Sequence, residues 1–326
     1  MAKMTLTMAI ERYDRHFPFF DGTVTPPDGV DLKVLQVGQS VALRDGKERH
    51  GRMLHDGEFD ICEFSMSTYL MAKQRDMAIT AVPVFPRRLF SQSQMYVHPL
   101  SDLWEPKDLI GKRVALSSFQ TTLSLLAKGD LKFEYDVAWE DITWCVTTAE
   151  KVDFKTKDGV VIEPIGARAE LGTMLEKGEI DAFFLPHPPP SVLSGERKAR
   201  RLFADTRQEE LRYYHKYGYY PIMHVIAVRP DLLASEPWLA KAIIDMFAAA
   251  KEVSESYYDD PNWSRLAWGR HYVEEERELL PDDLWPLGLA GNRANIERLI
   301  EYAFDQNLIE EKFSAERLFA EETLDT

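Results

Sequence analysis

Hydrophobic and polar positions along the chain follow two periods. Short apolar runs alternate with longer stretches in which apolar residues recur every three or four positions. This is the pattern of an α/β protein. Residues 4–10 read as a first strand and 31–37 as a second, with Pro26-Pro27-Asp28-Gly29 as the turn between them. A helix fits 41–54, a short buried strand 61–64, and a helix from Tyr69 that Ser65-Met66-Ser67-Thr68 caps. Strands at 78–85 and 94–98 complete a first unit near residue 98.

A second unit begins with a strand at 108–116 and a helix at 123–128, joined by Ser117-Ser118-Phe119-Gln120-Thr121-Thr122. His55-Asp56-Gly57-Glu58-Phe59-Asp60-Ile61 and Glu176-Lys177-Gly178-Glu179-Ile180-Asp181-Ala182 repeat one scheme: helix end, glycine turn, acid, buried strand. A further strand is expected at 201–204, after a basic stretch at 197–201. A long strand at 221–228 then crosses back to the first unit, and helices follow at 237–258, 266–278 and 292–307. The expected architecture is therefore two similarly wound lobes, 1–98 with 225–326 and 99–224. Crossing segments near 98 and 224 join them, and a ligand cleft lies between.

The 326 residues carry 39 Lys and Arg against 54 Asp and Glu, a formal charge of −15. This excludes a general nucleic-acid binder, whose phosphate contacts need a concentrated basic face, and disfavours an anionic membrane surface. Eight acids against two bases lie from Glu301 onward, which places much of the charge on a solvated C-terminal helix. A small anionic ligand then needs a locally basic pocket. Cys62 and Cys145 lack zinc or redox spacing and read as free, buried thiols. The N-terminus meets Glu11 and Arg12 before a hydrophobic core of signal length develops, and no uncharged window approaches the ~18 apolar residues of a membrane helix. The cytoplasm is the simplest location. There is no Walker loop, Gly-x-Gly-x-x-Gly, Gly-x-Ser-x-Gly or His-Glu-x-x-His. His50, His55 and Asp60 have conceivable metal spacing but read as an exposed helix and turn, so no metal is expected.

Several segments together carry a resemblance: Tyr13-Asp14 after the first strand, the run from Gly57 through Ser65-Met66-Ser67-Thr68-Tyr69, and Pro83-Val84-Phe85-Pro86-Arg87-Arg88-Leu89-Phe90. Leu109-Ile110-Gly111-Lys112-Arg113-Val114, Gln120-Thr121-Thr122, Gly178-Glu179-Ile180-Asp181-Ala182, Pro221-Ile222-Met223-His224, Pro237-Trp238 and Gly291-Asn292-Arg293 extend it over nearly the whole chain. The chain resembles the 4,5-dihydroxyphthalate decarboxylase family, which is similar in fold to the type II periplasmic binding proteins. The resemblance implies an α/β fold of two lobes with the ligand cleft between them, and decarboxylation of a hydroxylated aromatic acid without a cofactor. The chain departs from the family where it reads Ser91-Gln92: the family places an Arg-His pair there, while Arg88 and Ser93 are kept.

Such a reaction delivers a proton to the ring carbon that bears the carboxylate, passes through a non-aromatic intermediate, and releases carbon dioxide as aromaticity returns. It requires a tuned general acid, an acceptor for the phenol proton, and donors that orient the carboxylate. His224 titrates in the right range and is the first candidate for proton donor, beside the reading of a satisfied buried histidine. Glu63 is a second acid or acceptor if burial raises its pKa, beside the reading of a carboxylate paired with an arginine. Arg88 is the expected carboxylate clamp, with Arg87 at the surface.

Ser65, Ser67 and Thr68 at one helix start, and Gln120, Thr121 and Thr122 at the other, are expected to grip the two carboxylates of a phthalate-like ligand; plain capping is the alternative. Tyr13 and Arg15 follow the first strand, where a doubly wound sheet presents loops to its ligand. Ser93 and His187 complete the candidate binding set, and Tyr213 to Tyr220 offer an aromatic wall. The expected partner is a small aromatic carboxylate, either turned over or bound for transport or sensing. No nucleic acid or membrane partner is expected, and self-association is left open.

Overall fold

The computed structural model describes residues 3–37, 49–166, 170–187 and 198–326. Most of the helix expected over 41–54, and Arg197 of the basic stretch, lie outside the described residues. From Arg49 the chain forms a helical turn, Arg49–Gly51, that widens into Arg52–Asp56.

Among the described residues eleven strands form two sheets. The first takes the order β2 (Val30–Gln36), β1 (Met4–Ile10), β3 (Ile61–Ser65), β11 (His224–Val228), β4 (Thr80–Val82). The second takes the order β10 (Arg200–Arg201), β5 (Met95–Val97), β9 (Ala182–Phe184), β6 (Arg113–Leu116), β7 (Thr143–Val146), β8 (Ile162–Pro164). Neighbouring strands β2, β1 and β3 are parallel, whereas β11 runs antiparallel to both β3 and β4. In the second sheet β9, β6, β7 and β8 are parallel and β5 is antiparallel to β9. Each sheet therefore receives one antiparallel strand from a chain that has just crossed between lobes.

Residues 94–98 were expected to close the first lobe, but Met95–Val97 lies in the second sheet, so the first crossing falls between Val82 and Met95. Tyr96 stacks on Phe183 with centroids 5.1 Å apart. A short, fully apolar run shows that a strand is buried but not which sheet it joins.

The internal repeat is structural. Gly57 and Gly178 both adopt left-handed backbone, with φ of 58° and 68°. The acid that follows each latches the neighbouring parallel strand: Asp60 accepts the Thr7 N–H at 2.8 Å, and Asp181 accepts the Arg113 N–H at 2.9 Å. Side chains alternate across the first sheet. Met8, Ile61, Ile226 and Val228 pack against Ile243 and Phe247 of helix α6 (Leu239–Tyr257) on one face. Ala9, Cys62, Phe64 and Val225 face α1 (Met66–Gln74), whose residues 66–72 are all buried.

The C-terminal segment was expected to end in a solvated helix, and the structure corrects this. Helix α8 (Arg293–Asp305) packs on α2 (Thr122–Tyr135), and after it Leu308, Ile309, Ala315 and Leu318 enter the core. The α2–α8 approach needs a glycine, since a Cβ on Gly129 would lie 2.0 Å from the Tyr302 ring. Asp130, next to it, receives the hydroxyls of Ser91 (2.6 Å), Tyr302 (3.0 Å) and Tyr213 of α4 (Thr206–Tyr217; 3.2 Å). One buried carboxyl thus ties a crossing segment to three helices. Burial raises its pKa from 3.8 to about 7.

Candidate functional site

The carboxyl ends of β1, β3 and β4 and the start of β11 share one edge of the first sheet, facing the α2 end of the second lobe. Helices α1 and α2 begin there. Ser65 caps α1 by accepting the Thr68 N–H at 3.5 Å, and Thr121 caps α2 by accepting the Ser124 N–H at 3.3 Å. The two helix starts meet: Ser65 Oγ lies 3.0 Å from Thr122 Oγ1, which also accepts the Ser67 N–H at 3.1 Å. The two facing junctions expected from sequence are therefore in contact, with the lobes closed on each other.

Beside this contact is a cavity of about 100 Å³. Ser65, Thr68, Gln120, Thr121 and Thr122 line it from the helix starts, and Ser117, Ser118, His50, Arg87, Lys151 and His224 add to its polar wall. No Asp or Glu among the described residues lines it, so the fixed charges these residues present are positive, and both helices direct their positive dipole ends toward it. Gln120 is spent on structure: its amide donates to the Val152 carbonyl at 2.8 Å and accepts the Val152 N–H at 3.1 Å.

His224 and Glu63, named separately from sequence, form a buried pair with Nδ1 2.5 Å from Oε1. Neighbouring β11 and β3 create it, with His224 opposite Ser65 and Ile226 opposite Glu63. Glu63 is fully buried and also receives Arg49 Nη2 (3.0 Å), the Tyr13 hydroxyl (3.2 Å) and the Glu11 N–H (2.9 Å). Burial pushes its pKa up, but Arg49 and His224 oppose this, and the carboxyl is held well below the usual range. Burial lowers His224 to about 4, with Glu63 pulling the other way. The imidazole is therefore neutral at neutral pH. Its Nδ1–H donates to Glu63, which leaves Nε2 as the titrating atom. Glu63 does not line the cavity; it holds the His224 ring from behind.

The arginine assignment reverses. Arg88 is 2% exposed and committed to structure, donating to the Tyr220 carbonyl at 2.8 Å and to Asn292 Oδ1. Arg87, expected at the surface, lines the cavity; its carbonyl accepts the Met223 N–H at 2.8 Å. Arg15 also turns away, donating twice to the Pro86 carbonyl (2.9 and 2.6 Å) with its guanidinium 4.0 Å from the Trp285 ring centroid. Tyr13 reaches the site only through Glu63. Ser67 is buried behind the α1 cap, and Ser93 bonds Glu210 away from the cavity. His187 is exposed near the rim, 3.4 Å from Arg87 Nη2.

Ser91 and Gln92, where the sequence departs from the family, are buried and bond Asp130 and Tyr135 (2.6 and 3.0 Å), so neither faces this cavity. His50 is buried in the cavity wall and not on an exposed helix, 5.2 Å from the His224 ring and perpendicular to it. Among the described residues no three His, Cys, Asp or Glu come together to hold a metal ion. Sequence reasoning did not single out Arg49 and Lys151, which lie in segments without a motif, and it placed His50 on an exposed helix and Arg87 at the surface.

The chain is similar over its whole length to 4,5-dihydroxyphthalate decarboxylase of Comamonas testosteroni, 29% identical over 335 aligned residues that cover 100% of this chain and 99% of the relative. A second protein of that name, from Pseudomonas putida, is 29% identical over 226 residues, covering 67% and 84%. No family model matches. Among solved structures, the periplasmic aliphatic sulphonate binding protein SsuA of Escherichia coli superposes with a TM-score of 0.57 at 13% identity, covering 98% of this chain and 92% of that one. The desulfurization enzyme DSZB, in complex with biphenyl-2-sulfinic acid, gives 0.54 at 14%, covering 99% and 98%. The fold is that of the type II periplasmic binding proteins, and the chain resembles the 4,5-dihydroxyphthalate decarboxylases.

Proposed function

We propose that the protein is a carboxy-lyase that decarboxylates a hydroxylated aromatic acid such as 4,5-dihydroxyphthalate in the cavity between its lobes, with His224 as the proton carrier. The observation that carries this reading is the buried Glu63–His224 pair at the wall of a cavity whose fixed charges, among the described residues, are positive. Whole-length similarity to decarboxylases supports the reaction class.

A cavity of about 100 Å³ is below the ~300–1,000 Å³ of common ligand sites, so the ring enters as the lobes part and the Ser65–Thr122 contact opens. Arg87, Lys151 and the two helix starts then hold the carboxylates. The ligand's negative charge beside His224 raises the imidazole pKa, reversing the effect of burial, and a proton is taken from solvent onto Nε2. The imidazolium gives that proton to the ring carbon bearing the carboxylate, and the para hydroxyl stabilises the dearomatised ring as it becomes a ketone and releases its own proton to solvent. The carbon–carboxylate bond breaks, its electron pair returns to the ring, and carbon dioxide leaves. The phenolate takes a proton from solvent, so each turnover consumes one proton in total. Glu63, fixed by Arg49 and Tyr13, stabilises the imidazolium.

Incubation with 4,5-dihydroxyphthalate and a series of hydroxybenzoates, following carbon dioxide, tests this. Turnover is expected, and His224→Ala should abolish it while ligand-induced thermal stabilisation persists. The fold's presence in sulphonate binding proteins favours one other reading, a non-catalytic binding protein. Tight binding without turnover across the series would establish that reading against ours.

A further inference from the structure

A second and larger cavity, of about 700 Å³, lies on the α6 side of the first sheet, beneath α7 (Gly269–Leu279) and the segment that follows it. Its volume is that of a ligand site, whereas the site described above is one-seventh as large. One wall is aromatic: Phe90 and Tyr220 have centroids 4.8 Å apart, and Trp285 meets Tyr220 edge-on at 5.6 Å.

Its polar groups are asymmetric. The cations are engaged: Arg15 with the Pro86 carbonyl, Lys251 with Asp283 at 2.6 Å, and Arg207 with Glu275 at 2.9 Å; Arg277 is exposed on α7. The Tyr258 hydroxyl is likewise engaged, donating to Asp14. Unspent acceptors remain. His16 is 1% exposed; its Nδ1 lies 2.7 Å from the Glu11 carbonyl, which fixes the proton there and leaves Nε2 a lone-pair acceptor without a partner among the described residues. Glu210 Oε1 also lacks a partner. Four acids and four bases line the cavity, so neither sign of charge is in surplus.

We propose that this cavity is a second binding site, for an uncharged hydroxylated aromatic compound whose ring packs against Phe90, Tyr220 and Trp285 and whose hydroxyl donates to His16 Nε2. It does not depend on the interlobe chemistry, and its preference is the inverse: the interlobe cavity presents cations to an anion, this one presents acceptors to a neutral donor. Its ring-shaped aromatic wall and spare acceptors exclude a carboxylate as the favoured ligand, because an added anion meets Asp14, Glu210, Glu255 and Glu276 with no free inner cation to answer it.

Titration of the full chain with 2-naphthol, 2-methoxynaphthalene, 2-naphthoate and tryptamine, followed by calorimetry, tests the proposal. Saturable one-to-one binding of 2-naphthol is expected, with each of the other three about tenfold weaker or worse, the effect of one hydrogen bond. His16→Phe keeps the ring and removes the acceptor; it should weaken 2-naphthol about tenfold and leave 2-methoxynaphthalene unchanged. Leu211→Trp fills the cavity and should abolish binding of both, with folding verified by circular dichroism; Leu280→Trp serves if that variant does not fold. Equal affinity for the methyl ether, preference for the anion or the cation, retained binding in a folded filled variant, or loss of 2-naphthol binding in Arg87→Ala would each overturn the proposal.

Discussion

Glu63→Gln isolates the part of the site that works without touching a ligand. The substitution keeps shape and removes one charge. In the native protein Oε1 receives Arg49, His224 and Tyr13, while Oε2 receives the Glu11 N–H. A glutamine with its oxygen toward His224 still fixes the imidazole tautomer, but it turns an NH₂ toward the Glu11 N–H and leaves Arg49 with Glu11, 3.8 Å away, as a carboxylate partner among the described residues. Removing one member of a buried ion pair costs about 3–5 kcal/mol of stability. For turnover the loss is the Coulomb support of the imidazolium: at ~4 Å and an effective dielectric of about 20 this is about 4 kcal/mol, or roughly 10³-fold in rate. Carbon dioxide release from 4,5-dihydroxyphthalate across pH should therefore show kcat down by about that factor, with the limb assigned to His224 moved to lower pH. Affinity should change by less than about tenfold, because Glu63 does not line the cavity. A folded Glu63→Gln protein with kcat within about threefold of the parent and an unmoved pH limb would refute the relay.

The two adjacent arginines should separate cleanly. Arg87→Ala should weaken aromatic dicarboxylate binding about 10- to 100-fold with unfolding unchanged, and Arg88→Ala should lower the unfolding midpoint; the opposite pattern by calorimetry and denaturant titration would restore Arg88 as the clamp. Because burial lowers His224 to about 4 and a bound dianion raises it, binding should take up a proton below pH 7. Calorimetry in buffers of different ionisation enthalpy should then give a positive slope, and a zero slope refutes this. Asp130 is raised from 3.8 to about 7, so the protonated folded state is favoured: its contribution is full below pH 3.8 and is lost as pH rises through 7, about 4 kcal/mol in all. Asp130→Asn should flatten the unfolding free energy over that window, and an unchanged slope would show that the carboxyl ionises freely.

What was legible in the sequence was what local chemistry determines. The hydroxyl-rich helix starts, the glycine turns and the acids after them follow from capping and backbone rules that act within a few residues, and all recur in the structure. Glu63 and His224 were each visible as titratable groups on apolar strands, but their pairing depends on β11 lying antiparallel to β3, a partnership between residues 161 positions apart. Arg87 and Arg88 could not be told apart because they sit in a crossing segment without period, where neither 2.0 nor 3.6 spacing assigns a face. Arg88 makes only an isolated bridge to Ile222, and that bridge, not any local preference, turns it toward Asn292. The C-terminal segment misled for the same reason. Its acids are dense, but Leu308, Ile309 and Leu318 between them find a tertiary core that charge counting does not register.

On the function proposed above, these placements explain how a chain of net charge −15 would accommodate an anion. Glu63, behind the wall of the interlobe cavity, is screened from it by His224 and neutralised by Arg49, so its field at the cavity is that of a pair and not of a charge. At the opposite end of α2, Asp305 is consumed by Lys132 at 2.6 Å and Lys157 at 3.0 Å. Exposed acids more than ~8 Å away are damped by physiological salt, whereas Arg87, Lys151 and two helix dipoles act at contact distance. The local sign therefore prevails over the global one, and it prevails most when the lobes are closed and water is excluded. Salt should accordingly slow the approach of a dianionic ligand far less than it would for a site that relied on the surface field, because the attraction is generated inside the closed cleft.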